Sequence, residues 1–535
     1  MIHDLYINRY GAGTQLRNQG YDIITYNITS PIISIDVNAK LFAKFIQFVN
    51  NQKEGDEEII IMGVSMGGLV TRHALTYMEE NNIQHQTKLF ISFDSPQAGA
   101  HIPISMQEMS YDFAVLSFLS LVMGGVEGAE EVMALYSTLR SPAALEMNLF
   151  DLFKIENGRI SSADCYETFH NNLKSLNNCN GYPKNCKNIA ISNGSLKGDL
   201  QTGLNSLGNT SGNPAIKFHI NNFNAFQRTL TTVAGSDNSS VSGVCPYVGI
   251  QSCNSDEEFY ISNYREPIEH TPGGYYNWYG MLENIINEYD AFELDYINTR
   301  RASYIPTYSS LDLYTNNPLI DLSSYGKAVV LDNSPFDDIW WETTHDNLSH
   351  TSLTSQISNY LIDQITNYST SDNYCKDYNL TINNVIIPNG KKELSKASND
   401  LSIENTTVLT GGALTVKSGN KIILQPGFSV EAGADFHALI EPCSIKSCNK
   451  LEELEVTWNV PGYFNFIDRC INFIATPIGG NEVYSYKWYV DGSYVSSNSS
   501  YLHCPKSWGK DRIKCIIKSG LYTVELNQIL SLVSD

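Results

Sequence analysis

Glu58-Ile59-Ile60-Ile61-Met62-Gly63-Val64-Ser65-Met66-Gly67-Gly68-Leu69-Val70 joins an apolar run, a glycine-flanked serine and the start of an amphipathic run. The uninterrupted apolar part predicts a strand of the kind buried on both faces, and Leu69 to Met78 predicts the helix that follows it. A sharp strand-to-helix turn strains its central residue, so Ser65 is expected to project alone from the end of the strand. Glycines 63 and 67 would keep neighbouring side chains from colliding there. The amide of Met66, at the helix N-terminus, would offer one donor to an oxyanion with the helix dipole behind it. The bland alternative is a glycine-rich connection with a solvated serine. The strand before and the helix after oppose it.

Outward from this turn, the chain between Gly20 and Gln97 alternates short apolar runs with amphipathic ones, the pattern of an α/β protein with a mostly parallel sheet flanked by helices. Tyr21 to Tyr26 predicts a strand and Lys88 to Phe93 another. Between them, Val37 to Val49 predicts a helix with Leu41, Phe45, Phe48 and Val49 on one face. From Gln97 to about Leu176 a methionine-rich, helical segment that includes Phe113 to Met123 breaks the alternation and reads as an insertion over the sheet. Asn188 to Ser192 predicts a returning strand and Lys327 to Leu331 a late one. After about Thr370 the helical period disappears. Residues Leu401 to Ile440 predict stacked β-coils with a turn glycine every few residues. Cys470, Trp488 and Cys515 follow in the order of an immunoglobulin-like sandwich, with Trp488 packing on the disulfide, although Ile513 stands where a tyrosine is expected.

At 535 residues the chain is long enough for several domains. Its 35 Lys and Arg against 57 Asp and Glu give a net charge of −22, which disfavours nucleic acid and anionic membrane surfaces as partners. No apolar run reaches the length of a membrane-spanning helix. Eleven cysteines without zinc spacing point to disulfides and an oxidising compartment, with one cysteine left over. The residues after Met1 do not form a signal peptide, so a secreted or cell-surface location implies that this segment is missing from the chain.

A serine hydroxyl becomes a nucleophile when a histidine takes its proton, and in this type of fold the histidine comes late in the chain. His350, just before a helix predicted over Thr351 to Ile365, is favoured over His345. His73 reads as packed or solvated, and His437 and His503 belong to the β-rich part. Asp94, at the end of the Lys88–Phe93 strand, is the preferred partner to orient the imidazole, with Asp237 and Asp295 as rivals and a simple turn cap as the bland reading. No metal-ligand or phosphate-loop motif occurs, so no cofactor or metal is expected.

Gly63 to Val70, followed by Asp94-Ser95-Pro96-Gln97-Ala98-Gly99-Ala100, resembles the lipase and esterase branch of the α/β-hydrolases, near the bacterial relatives of GPI inositol-deacylases, over about residues 20 to 365. The resemblance implies an active-site serine at Ser65. Tyr304 to Leu311 resembles a family segment that usually begins with an acidic residue. Arg301-Ala302-Ser303 stands there instead, which turns attention to Asp94. The family's early His-Gly strand, source of a second oxyanion donor, has no counterpart before Gly20, implying either a lost start or a crippled catalyst. Ile422 to Phe428 with Gly433 to Ala438 is similar to the three-coathanger stack domain of secreted bacterial proteins, and Cys375 and Cys443, which bracket it, are candidates for a bridge. Tyr486 to Gly492 is similar to PKD-like and Ig-like repeats. The expected organisation is a front-truncated hydrolase domain over 1–370 with a cap or lid at about 100–185, a coathanger domain over 375–443 and an Ig-like or PKD-like sandwich over 450–535. The expected function is hydrolysis of carboxylic esters, lipids among them, by a Ser-His-Asp triad through an acyl-enzyme. The expected partners are that substrate and a cell-surface or glycan contact through the β domains. Amidase or acyltransferase chemistry would use the same triad. The alternative from another class is a surface binding or adhesion protein carrying an inactive hydrolase body.

Overall fold

A computed structural model describes residues 9–111 (save 105, 108 and 109), 129–195 (save 157 and 158), 214–220, 227–231, 271–297 (save 279, 282 and 285–291), 301–342 (save 316–320), 347–368, 373–458 (save 447 and 449–451) and 464–533 (save 467–469, 481–482 and 506–508). Two compact units emerge. One contains Met1–Asp312 and Pro335–Cys448, the other Leu313–Ser334 and Asn449–Asp535.

The first unit is α/β at its front. Helix α1 (Ile35–Gln52) precedes strand β1 (Ile59–Val64), helix α2 (Met66–Glu80), strand β2 (Thr87–Phe93) and strand β3 (Lys187–Ser195). A short antiparallel pair, β4 (Gly273–Tyr276) and β5 (Ala302–Pro306), comes before strand β6 (Asp338–Glu342) and helix α3 (Ser355–Thr366). Strands β1, β2, β3 and β6 lie in that order in one parallel sheet. Leu89, Ile91, Phe93, Ile189 and Ile191 from β2 and β3 pack against Leu353, Ile357 and Leu361, which places α3 on the sheet. Each such side chain, fully buried, contributes about 1.5–3 kcal/mol. Thr354 caps α3 by accepting the Ile357 amide at 3.2 Å, so the loop that enters this helix is fixed at its C-terminal end.

Several expectations are corrected here. Residues Tyr21 to Tyr26 form no strand. The Tyr21 hydroxyl donates to the Ile365 carbonyl, and the Tyr26 ring packs on Phe42 and Phe45. Helix α1 buries Ile35, Ala39, Phe42, Ala43 and Ile46, and of the four residues expected on its apolar face it leaves Leu41 and Phe48 exposed and Phe45 and Val49 half-buried. Both faces carry apolar residues at helical spacing, so periodicity alone could not choose between them. Strand β1 is not buried on both faces, because Ile59, Ile60 and Val64 are only half-buried and Met62 is 37% exposed. Lys327 to Asp332 is a helical turn rather than a strand, and the last strand of the sheet is the acidic- and tryptophan-bearing Asp338–Glu342. Phe113 to Met123 lies outside the described residues. Around it, the segment after Gln97 holds helices Ala129–Leu139, Pro142–Met147 and Asp164–Ser175 and a small hairpin, Asp151–Glu156 with Arg159–Ser161.

Residues Leu380 to Ile440 wind into three coils that stack three parallel sheets of three strands each. Equivalent positions recur 21 or 22 residues apart, as in the hydroxyl pairs Thr381–Ser402 and Thr407–Ser429. Leu401, Ile403, Val408, Leu414 and Val416 of the middle coil form its buried centre. Cys375 and Cys443 bridge its two ends, and Cys179–Cys448, Lys396–Glu58 at 2.8 Å and Lys446–Asp337 at 2.6 Å join it to the α/β part. A bridge that closes a long loop restricts the unfolded chain most.

In the second unit, mostly antiparallel strands, with Phe464–Phe466 pairing parallel to Tyr522–Val533, form one sheet of three and one of five around Trp488, Phe473, Ile517 and Leu530. The expected Cys470–Cys515 pair does not form. Ile471 pairs with His503 across two strands, so the flanking Cys470 and Cys504 meet and are bridged. Cys515 pairs in register with Trp488 within one sheet and stays a buried free thiol, so the tryptophan packs on a thiol. Three free cysteines, Cys165, Cys186 and Cys515, stand among the described residues, more than the single one expected. The three observed bridges are compatible with an extracellular protein, and no described helix is long and apolar enough to cross a membrane.

Candidate active site

Ser65 lies between β1 and α2 with φ 55° and ψ −132°, a backbone conformation that a non-glycine residue rarely adopts. The sheet imposes it, because the Ser65 amide still reaches across to donate to the Phe93 carbonyl at 3.0 Å before the chain turns into the helix. A side chain at Gly63 would collide with the backbone of Gly67 and Gly68, and one at Gly68 would come 2.6 Å from the Ser95 side chain. Nothing lies within 4 Å of the corresponding position at Gly67. The second glycine that the close approach requires is therefore Gly68, not Gly67. The Met66 amide, in the first turn of α2, has no intrahelical acceptor and carries the positive end of the helix dipole.

Asp94 follows β2 as Ser65 follows β1. Its amide donates to the Ile191 carbonyl at 2.7 Å, and its φ of 44° turns the side chain inward, where it is fully buried. The carboxylate accepts the Asn193 amide on Oδ1 at 3.0 Å and the Thr351 amide on Oδ2 at 3.2 Å. Oδ2 also meets His350 Nδ1 at 2.7 Å, and His350 Nε2 lies 2.8 Å from Ser65 Oγ. A carboxylate only accepts, so Nδ1 holds the imidazole proton and Nε2 is left to accept from the serine hydroxyl. The structure thus brings Ser65, His350 and Asp94 into one connected line at the carboxyl ends of the parallel strands. His345 and Asp237 lie outside the described residues, and Asp295 sits on a strand, Phe292–Ile297, of a separate sheet. His437 and His503 belong to the coil stack and the second unit.

His73 and His170 are buried, and both rings pack on Phe169. Burial pushes both imidazoles down, to about 4 and about 3, so both are neutral core groups at neutral pH.

The strand pair β4–β5 supplies what local sequence did not announce. The Tyr275 carbonyl accepts the His350 amide at 2.7 Å, which fixes the loop that carries the imidazole. Gly274 faces the Asp94 carboxylate so closely that a Cβ there would collide with Oδ2. Tyr304, on β5, sets its ring edge-to-face against His350, with centroids 4.9 Å apart and planes at 88°. These residues fall in tyrosine- and glycine-rich sequence with no marked period, so only strand pairing reveals them. Replacing Gly274 with alanine is expected to displace the carboxylate from Nδ1 and lower kcat about 100-fold, in line with what a displacement near 1 Å costs. Steady-state hydrolysis of p-nitrophenyl acetate checks this, and a kcat within threefold of the parent would show that Asp94 does not need this cradle.

Residues 33–127 match a family model described as "Putative serine esterase (DUF676)", a stretch that holds both Ser65 and Asp94 but not His350. The match supports a serine-hydrolase role for the α/β part of the chain. Comparison with curated proteins returns no match. Among solved structures, a quinonprotein alcohol dehydrogenase-like protein from Bacteroides thetaiotaomicron is similar at 19% identity over 14% of this chain and 18% of its own, with a TM-score of 0.13. This chain spans less than a fifth of that protein, and so small an overlap bears on neither fold nor activity.

Proposed function

We propose that the protein is a serine esterase of the α/β-hydrolase type, in which Ser65 is the nucleophile, His350 the general base and acid, and Asp94 the residue that orients the imidazole. The observation that carries this reading is the unbroken line from a buried carboxylate through Nδ1 and Nε2 to an Oγ held at a strained turn. Ser65 Oγ attacks the ester carbonyl carbon while Nε2 takes its proton, and the oxyanion forms toward the Met66 amide. The carbon–oxygen bond to the alcohol then breaks, and the proton on Nε2 passes to the leaving alkoxide. Water, deprotonated by the same nitrogen, attacks the acyl carbon, the bond to Ser65 Oγ breaks, and the proton on Nε2 returns to Oγ as the acid leaves. The Cys-bridged coil stack and the C-terminal sandwich fit the coathanger and Ig-like modules of a secreted or cell-surface protein. The segment from about 100 to 185 is read as a cap over the site, with lipid esters as one substrate class.

The three aligned groups favour this reading over the adhesion alternative, whose support is the missing early His-Gly strand. A fluorophosphonate probe followed by peptide mapping tests the reading. Ser65 is expected to carry the phosphonyl group, and modification elsewhere with Ser65 unlabelled would end it.

A further inference from the structure

Trp278 is 6% exposed, and its indole Nε1–H has no acceptor among the described residues. An indole nitrogen only donates, and buried donors in folded proteins nearly always find a partner. Its acceptor has to come from beyond the described residues.

Its surroundings say which place. The Trp278 ring stands edge-on to Tyr304, with centroids 5.3 Å apart and planes at 83°, and Tyr304 in turn packs edge-on against His350. Tyr276, at the end of β4, touches both Trp278 at 4.9 Å and Tyr304 at 5.8 Å and is 40% exposed. The three rings therefore run from solvent to the imidazole. Burial, reinforced by Tyr276, raises the Tyr304 phenol to about 12, so it stays a neutral hydroxyl at any working pH.

If His350 hands its proton to the leaving alkoxide, as the proposed function holds, the departing oxygen passes beside Nε2 and its substituent lies near whatever packs on that imidazole. Resting on that reading, we propose that Tyr276, Trp278 and Tyr304 form the leaving-alcohol subsite, and that it takes a ring-bearing alcohol with an oxygen that accepts from Trp278 Nε1–H. Flat rings suit aromatic walls, and a donor-only group selects an acceptor oxygen. Aryl-substituted alcohols and sugars share this chemistry.

The test uses the full chain with three acetate esters of primary alcohols, which differ little in leaving-group acidity: ethyl acetate, 4-methoxybenzyl acetate and methyl 6-O-acetylglucopyranoside. At least one ring ester is expected to exceed ethyl acetate in kcat/KM by about tenfold or more, and which one does so identifies the source of the ring. Trp278→Phe keeps the ring and removes the donor, and it is expected to cut that ratio about tenfold, the value of one hydrogen bond in this range. Equal use of all three esters, or a ring preference that survives Trp278→Phe, would overturn the subsite while leaving Ser65 labelling intact. Failure of Ser65 to label would instead overturn the esterase reading beneath it. Should Trp278→Phe not fold, the free ring alcohols, 4-methoxybenzyl alcohol and methyl glucopyranoside, must slow fluorophosphonate labelling of the parent protein more than ethanol does, and no such protection sinks the proposal.

Discussion

Ser65→Ala is expected to lower the hydrolysis of p-nitrophenyl acetate by about 10⁵-fold while leaving thermal stability unchanged. The Oγ removed makes its described hydrogen bond to His350 Nε2, and the variant keeps the Cβ, so its loss costs the fold little. What remains is the Met66 amide and a base with nothing to deprotonate except water, which is why a small residual rate over water is expected. Steady-state kinetics beside a thermal melt separates the two effects. Esterolysis within tenfold of the parent would remove Ser65 from the chemistry altogether.

Asp94→Asn is expected to do something different, lowering kcat by about 10⁴-fold and also lowering the melting temperature. The two carboxylate oxygens together accept two backbone amides and the imidazole Nδ1–H. An asparagine must point its NH2 at one of these groups. Placed where Oδ2 stands, it faces the Thr351 amide donor to donor and donates to Nδ1, which moves the imidazole proton to Nε2 and leaves nothing there to accept from Ser65. Placed where Oδ1 stands, it faces the Asn193 amide instead. Either orientation leaves a buried donor without an acceptor, worth about 1–3 kcal/mol of stability. Parallel kcat and melting measurements on this variant and on Ser65→Ala distinguish a residue that orients from one that reacts. Near-normal kcat in Asp94→Asn would return the role to Asp237 or Asp295.

The elements around the site differed in how plainly they could be read. The β1–α2 turn was legible because all of its determinants are local: an apolar run, a serine between glycines, an amphipathic run. The strands ending at Phe93 and beginning near Asn188 were legible for the same reason. Lys327 to Leu331 was read as a strand and Asp338 to Glu342 overlooked, since short apolar runs without extended periodicity fit a helical turn as well as a strand. On α1 the helical period was legible but not the depth of burial, because two apolar stripes compete and packing chooses between them. The pairing of Cys470 followed strand register that spacing does not encode.

By itself, the order of residues determined where the strained serine stands and that a parallel sheet supports it, and it narrowed the partners to Asp94 or its rivals Asp237 and Asp295 and to His350 or His345. Only the tertiary structure decided that these three side chains meet within hydrogen-bond distance, that Gly274 cradles Asp94 and the Tyr275 carbonyl holds His350, and that Tyr304 packs on the imidazole with Trp278 behind it. The first set depends on interactions between near neighbours along the chain. The second depends on β4 pairing with β5 and on the His350 loop docking against it, contacts between segments far apart in sequence whose geometry no local pattern contains.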